Sequence, residues 1–288
     1  NISFQSSSLS DTGLGKTAGA WSAGPDMITG TRGNFFGQQN ASVMVSGATT
    51  QGEAPTTSHT QHYNGISWRR GADILNAVAA VGGGQGYGTA EDDVGMLKSY
   101  TDAPKNCHLQ YNGHAWWEMT INGVNARCNG AFGTQNASVM FGGQPTSTKT
   151  EEWNGHSWSV AGDVGSSQGA MGAGTQNAGL YFGGFCTGYG FDIGQCTEQY
   201  DGASWSEVAD MNFGKRTTRG VGTQNAALNT GGIHTGNAAS CLTEEYDGTS
   251  WSTATPRIIP QFQGHLVGLQ NAAFYASGYD APVYRTDT

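Results

Sequence analysis

GTQNAALNTGG at residues 222–232 and TEEYDGTSW at residues 243–251 are the two segments on which the reading of this chain turns. The second holds two adjacent carboxylates, a tyrosine, an aspartate and a tryptophan. Paired acids among aromatic rings are what glycoside cleavage requires, so the segment resembles a small active site. Its distribution along the chain argues otherwise, because both segments recur.

The first returns as GTQNASVMFGG (133–143) and GTQNAGLYFGG (174–184), and more loosely as GQQNASVMVSG (37–47) and GLQNAAFYASG (268–278). A degenerate copy, GTAEDDVGMLKSY, begins at Gly88, and successive copies start 51, 45, 41, 48 and 46 residues apart. A period of this length marks stacked supersecondary units. We number the units one to six from Gly37, Gly88, Gly133, Gly174, Gly222 and Gly268. The second segment returns as HYNGISW (62–68), QYNGHAW (110–116), EWNGHSW (152–158) and QYDGASW (199–205), with the aromatic five positions before the tryptophan each time.

Each unit reads as four strands. An inner strand ends at a Gln-Asn turn, and a second strand such as AALNTGG follows. After a variable loop comes TEEY, then an Asn-Gly or Asp-Gly pair reverses the chain into the strand carrying tryptophan. These dipeptides are strong signals for a two-residue type I′ hairpin. Such a turn predicts Tyr246 opposite Thr249 and Glu244 opposite Trp251, with the glutamate stem lying on the indole. Second strands are apolar on both faces (Val139 and Phe141 against Met140; Leu180 and Phe182 against Tyr181), so both faces must be covered. Blades stacked between neighbours meet that demand. The repeated tryptophans, Trp21, Trp68, Trp116, Trp158, Trp205 and Trp251, are then the blade-to-blade packing residues, each large enough to bury roughly 150–250 Å².

The sixth unit lacks its tryptophan. AGAWSAGPDM (18–27) supplies one without a tyrosine strand before it, and APVYRTDT (281–288) stops just past Tyr284. The sequence therefore predicts an all-β fold: a six-bladed propeller of four-stranded antiparallel blades over residues 17–288. Residues 1–16 form an N-terminal arm, and Trp21 joins Tyr284 in a last blade closed by strands from both termini. Closure removes exposed sheet edges.

Inner strand, glycine doublet, aromatic and tryptophan, in that order over residues 17–288, resemble the kelch repeat. The doublet stands at Gly142-Gly143, Gly183-Gly184 and Gly231-Gly232, changes to Ser46-Gly47 and Ser277-Gly278, and is lost in the second unit. The wording GTQNA…GG…TEEYDGTSW is also similar to tandem propeller repeats in virion and surface proteins of aquatic bacteriophages and bacteria.

The kelch resemblance brings galactose-oxidase-like copper enzymes into view, and these need converging imidazole and phenolate ligands. His59 and His62 lie three apart on one strand and face opposite ways. His114 and His156 sit at hairpin turns far from an axis, and the seven histidines, His108, His234 and His265 among them, read as polar surface residues. Glu244 and Glu245 project to opposite faces, which rules out a retaining glycosidase pair. DGTSW has one residue fewer than a sialidase Asp-box, and arginines are scattered. Glu91-Asp92-Asp93 lacks the ligand spacing of a calcium loop. No metal, cofactor or catalytic residue is expected.

Composition narrows the partners. The net charge of −9, with 13 basic against 22 acidic residues, excludes a basic nucleic-acid stripe. No apolar run reaches the ~18 residues that span a bilayer. The chain begins at Asn1, so it is processed or its numbering starts inside a longer product. Variation concentrates between strands two and three, on one face of the ring, where recognition usually lives. FCTGYGFDIGQC (185–196) is the most distinctive loop; Phe185, Tyr189, Phe191 and Asp192 are its candidate binding residues. Cys186 and Cys196 bracket it as a disulfide pair. Cys107 and Cys128 fall on the same face as a second candidate pair, and Cys241 is left over. A bridge implies an oxidising compartment. The expected function is a non-enzymatic extracellular or virion propeller for structure or adhesion. Its partners would be other virion or surface proteins, or cell-surface glycans if it is lectin-like; self-association is left open. A galactose-oxidase-like enzyme is the third reading.

Overall fold

The computed structural model describes residues 2–5, 20–29, 32–48, 56–74, 86–87, 94–100, 106–119, 130–143, 148–165, 171–184, 193–234, 238–261, 264–276, 279–280 and 283–284. Every regular element among them is a β-strand. The strands build a propeller-like ring of antiparallel sheets, each ordered from an inner to an outer strand. The third unit shows the plan: Gly130–Thr134 pairs with Ala137–Phe141, that strand with Thr150–Trp153, and that with Trp158–Ala161. Arg219–Thr223, Ala226–Thr230, Thr243–Tyr246 and Trp251–Ala254 repeat it in the fifth. Even the degenerate second unit forms such a sheet, from Gly86–Tyr87, Val94–Tyr100, Asn106–Asn112 and Trp116–Met119.

Inner strands pack side by side around an axis. His265–Leu269 neighbours Arg32–Gln38, which neighbours Gly86–Tyr87; Gly130–Thr134, Met171–Thr175 and Arg219–Thr223 follow, and the last returns to His265–Leu269. The ring is closed.

Closure uses strands other than those expected. The last sheet holds His265–Leu269, Ala272–Ala276, Ile2–Gln5 and Ala20–Ala23 in that order. Ile2–Gln5, which falls within the segment read as an arm, takes the third-strand place, and Phe4 stands opposite Trp21. Tyr284 instead pairs with Tyr279 in a separate two-stranded hairpin. Trp21 does fill the vacant outer place. The sequence concealed the third strand because ISFQ lacks the tyrosine and the Asn-Gly turn that mark the other units.

The hairpin register also differs. Tyr246 faces Trp251 and Glu244 faces Thr253, across a four-residue loop. Asp247 Oδ1 accepts the amides of Thr249 (2.9 Å) and Ser250 (2.8 Å), and Asn64, Asn112, Asn154 and Asp201 do the same in their units. A side chain that satisfies two loop amides makes an Asx turn and supports a longer loop than type I′. The shift is two residues, so side chains keep their faces.

Two devices join neighbouring units. Trp251 packs on Phe182 of the fourth unit with ring centres 5.0 Å apart, and its indole N–H donates to Thr197 Oγ1 at 3.1 Å. Trp205 reaches Phe141 and Thr150 in the same way, and Trp116 reaches Phe36 and Thr60. The second device is the glutamine of GTQNA, which the sequence suggested only as part of a turn. Gln224 Nε2 donates to the carbonyls of Tyr200 (2.9 Å) and Gly179 (3.1 Å) in the preceding unit. Gln176 staples Trp153 and Ser138, and Gln270 staples Tyr246 and Ala227. Gln135 holds Tyr111, and Gln39 reaches Ala273 across the point of closure. The glycine before each staple is obligatory: Gly222 has φ +115°, and a Cβ there would lie 2.1 Å from the Ala226 carbonyl.

Trp251→Ala should destabilise the chain by ~3–5 kcal/mol through the gap between units, read as a fall in the urea midpoint with unchanged slope. Removing residues 1–23 takes away two strands of the closing sheet, so the single cooperative melt should be lost; a truncated chain melting like the parent would refute this closure.

Candidate functional site

Three places on this frame can carry a site: the axial channel, the loop-bearing face and the buried polar groups beneath that face. The channel encloses about 260 Å³ and is lined by residues including Phe35, Gln38, Thr134, Met171, Arg219 and His265. His265 is buried and stacks on Phe35 at 5.9 Å. Arg219 Nη1 donates to the Thr218 carbonyl at 2.9 Å and touches Met171 Sδ at 3.8 Å. Among the described residues, no group of three or more His, Cys, Asp or Glu side chains could hold a metal ion.

The histidines only partly match a surface reading. His114 and His156 are exposed, but His62 is buried, with Arg69 donating to Nδ1 (3.2 Å) and Tyr111 Oη 2.9 Å from Nε2. Because arginine can only donate, Nδ1 is the acceptor in the Arg69 contact. His62 ties the first unit to the second.

Phe185, Tyr189, Phe191, Asp192 and Cys186 lie outside the described residues, as do Cys128 and Glu91-Asp92-Asp93. What is described is the base of the 185–196 loop. Gly194 N donates to Gly184 O at 2.7 Å, Lys215 N to Gly194 O at 3.1 Å, and Gln195 Nε2 to Asn212 O at 2.9 Å. Cys196 is disulfide-bonded. Cys107 sits in the third strand of its unit, and Cys241 is a free thiol. The loop thus leaves a rigid platform.

Glu244 corrects the expectation most sharply. It does not serve the indole; its Oε1 accepts the Asn212 amide at 2.8 Å, in the connection that enters its own unit. Glu198 accepts the Gly165 amide at 3.1 Å in the equivalent connection. In the first unit Gln61 does this with both ends of its amide, accepting from Thr29 N (3.1 Å) and donating to Thr29 O (3.0 Å). This column of the third strand clamps the entry connection, and a neutral amide is competent for it.

In the fifth unit the clamp has become part of a buried charged cluster. Lys215 and Glu244 are both wholly buried, with Nζ 3.1 Å from Oε2. Lys215 Nζ also donates to Asn229 Oδ1 (2.8 Å) and to the Leu242 carbonyl (3.2 Å). Nearby, buried Arg257 bonds Gln261 and the Ser240 carbonyl and lies 3.8 Å over the Tyr275 ring. It takes the place of an apolar plug, as Met27, Val164 and Met211 are buried in the other connections. Burial holds both cations below their ordinary ranges; for Lys215 the Glu244 carboxylate opposes this and the Arg257 charge adds to it.

Comparison with known proteins adds no name to this site: no family model matches the chain, and no curated protein matches its sequence.

No local motif in the sequence marks this cluster. Its signal is a departure from the repeat: the second-strand column opposite the clamp reads Met44, Met140 and Tyr181, but Asn229 in the fifth unit. The two clamps should therefore respond differently to the same change. Glu198→Gln should stay within about 1 kcal/mol of the parent, the scale of one hydrogen bond. Glu244→Gln should cost ~3–5 kcal/mol, because it strands a buried cation. Chemical denaturation of the two variants side by side checks this.

Proposed function

We propose that the chain is a non-enzymatic, six-bladed, kelch-like propeller that presents variable loops from one face for structural or adhesive contacts outside the cytoplasm, as a virion or cell-surface component. One observation carries this reading: the repeated polar side chains are consumed by the frame. The glutamines staple neighbours, the indoles bond threonines, and Glu198 and Glu244 clamp the entering connections. The opening stretch accordingly offers no free acid pair. What varies lies between strands two and three, and the longest aromatic loop stands on a base held by Gly184, Asn212 and Lys215. Six inner strands in cyclic contact support the blade count. A disulfide at Cys196 favours an oxidising compartment.

Partners of this chemistry would be other surface or virion proteins. Cell-surface glycans are the alternative, because aromatic, glycine and small polar residues suit adaptable recognition. The discriminating experiment compares the parent with a variant whose residues 185–192 are replaced by glycine and serine, on a glycan array and against intact cells. Loss of binding with an unchanged melting temperature is expected. Retained binding would remove this loop from the reading, and turnover of a sugar substrate would replace it with an enzyme.

A further inference from the structure

The fifth unit holds a lysine, an asparagine and a glutamate that no part of the repeating frame requires together. Lys215, Asn229 and Glu244 are all fully buried. The Lys215 amine lies 2.8 Å from the carboxamide oxygen of Asn229 and 3.1 Å from Glu244 Oε2. Asn229 and Glu244 are direct partners across adjacent strands, so carboxyl and carboxamide start from facing positions. Asn229 Nδ2 meets no hydrogen-bond partner, and Glu244 Oε2 has the lysine as a charge contact without a well-angled hydrogen bond. Leaving a buried amide N–H₂ unsatisfied is costly, and the first, third and fourth units avoid that cost by placing Met or Tyr in the same column.

We infer that Lys215 and Asn229 are joined by a spontaneous isopeptide bond, formed inside the folded chain with Glu244 as the proton shuttle. The chemistry balances without any co-reactant. A proton passes from the Lys215 ammonium to Glu244, leaving a neutral amine and a carboxylic acid. The Nζ lone pair then attacks Cγ of Asn229, and the carboxyl group takes the proton lost from Nζ and delivers one to Nδ2. The C–Nδ2 bond breaks, ammonia departs, and an Nζ–Cγ amide remains. The departing ammonia takes the proton that Glu244 still holds and leaves as ammonium, so Glu244 returns to the carboxylate.

The surroundings suit each step. Burial favours the neutral amine over the ammonium, and the Arg257 charge acts in the same direction. In a low-dielectric site, an amine–carboxylic acid pair is far closer in energy to the ion pair than it would be in water. Holding amine, carboxamide and acid within contact distance replaces a bimolecular encounter by an internal one, worth many orders of magnitude in effective concentration. Full burial of Asn229 also shields the carboxamide from competing water. The product would exchange a buried charge for a neutral amide, and would tie the connection at Lys215 to the second strand beneath the loop-bearing face. It would also relieve the unsatisfied Asn229 nitrogen.

Intact-mass analysis of the reduced, denatured full chain tests this directly. The expected mass is short of the sequence mass by one ammonia, and digestion should release a branched peptide joining the Lys215 and Asn229 segments. Glu244→Ala and Lys215→Met chains should both show the full mass. Because these variants fold less stably, the parent protein alone is decisive. A parent of full mass, with Lys215 open to amine labelling after denaturation, would overturn the inference. So would an ammonia deficit without any branched peptide in a chain that hydroxylamine cleaves at Asn229, which would mark a succinimide instead.

Discussion

Trp116, Trp205 and Trp251 each pack on a ring and bond a threonine of the preceding unit. Trp251 needs Phe182 and Thr197 from the fourth unit, just as Trp205 needs Phe141 and Thr150 from the third. Stability therefore resides at boundaries, and a linear stack would leave one boundary open at each end. Joining Ala272–Ala276 to Ile2–Gln5 and Ala20–Ala23 in one sheet removes that defect. The glutamine staples follow from the same constraint. Carbonyls at the ends of the second and third strands face the next unit instead of water, and a carboxamide with two N–H donors satisfies one of each at once.

The repeat makes departures from it informative. Where a column holds Gln61, Glu198 and Glu244, the shared task is to hold a backbone amide in the entering connection, and the charge is incidental to it. Where the facing column changes from Met or Tyr to Asn229, and the connection supplies Lys215, the charge of Glu244 becomes essential. One position is thus an ordinary clamp in the fourth unit and the centre of a charged cluster in the fifth. Arg257, standing where other connections bury Met or Val, belongs to the same local rewriting. Such a cluster is a poor source of stability compared with apolar packing, so its concentration in one unit points to a use beyond cohesion.

The sequence by itself determined the repeat, the four-strand plan of each unit, the tryptophan boundary and the need for closure, because these rest on spacing and on side-chain volume. It also excluded paired-acid chemistry in TEEYDGTSW, since adjacent strand residues face apart. Tertiary structure alone decided which strand completes the ring, because ISFQ carries no local mark of its partner and pairs only through distant backbone. It alone set the hairpin register, where an Asx acceptor outweighs the type I′ preference of Asn-Gly and Asp-Gly. And it alone brought Lys215, Asn229 and Glu244 together: they lie on a connection, a second strand and a third strand, and their meeting depends on how the chain enters the blade, which no local pattern of residues records.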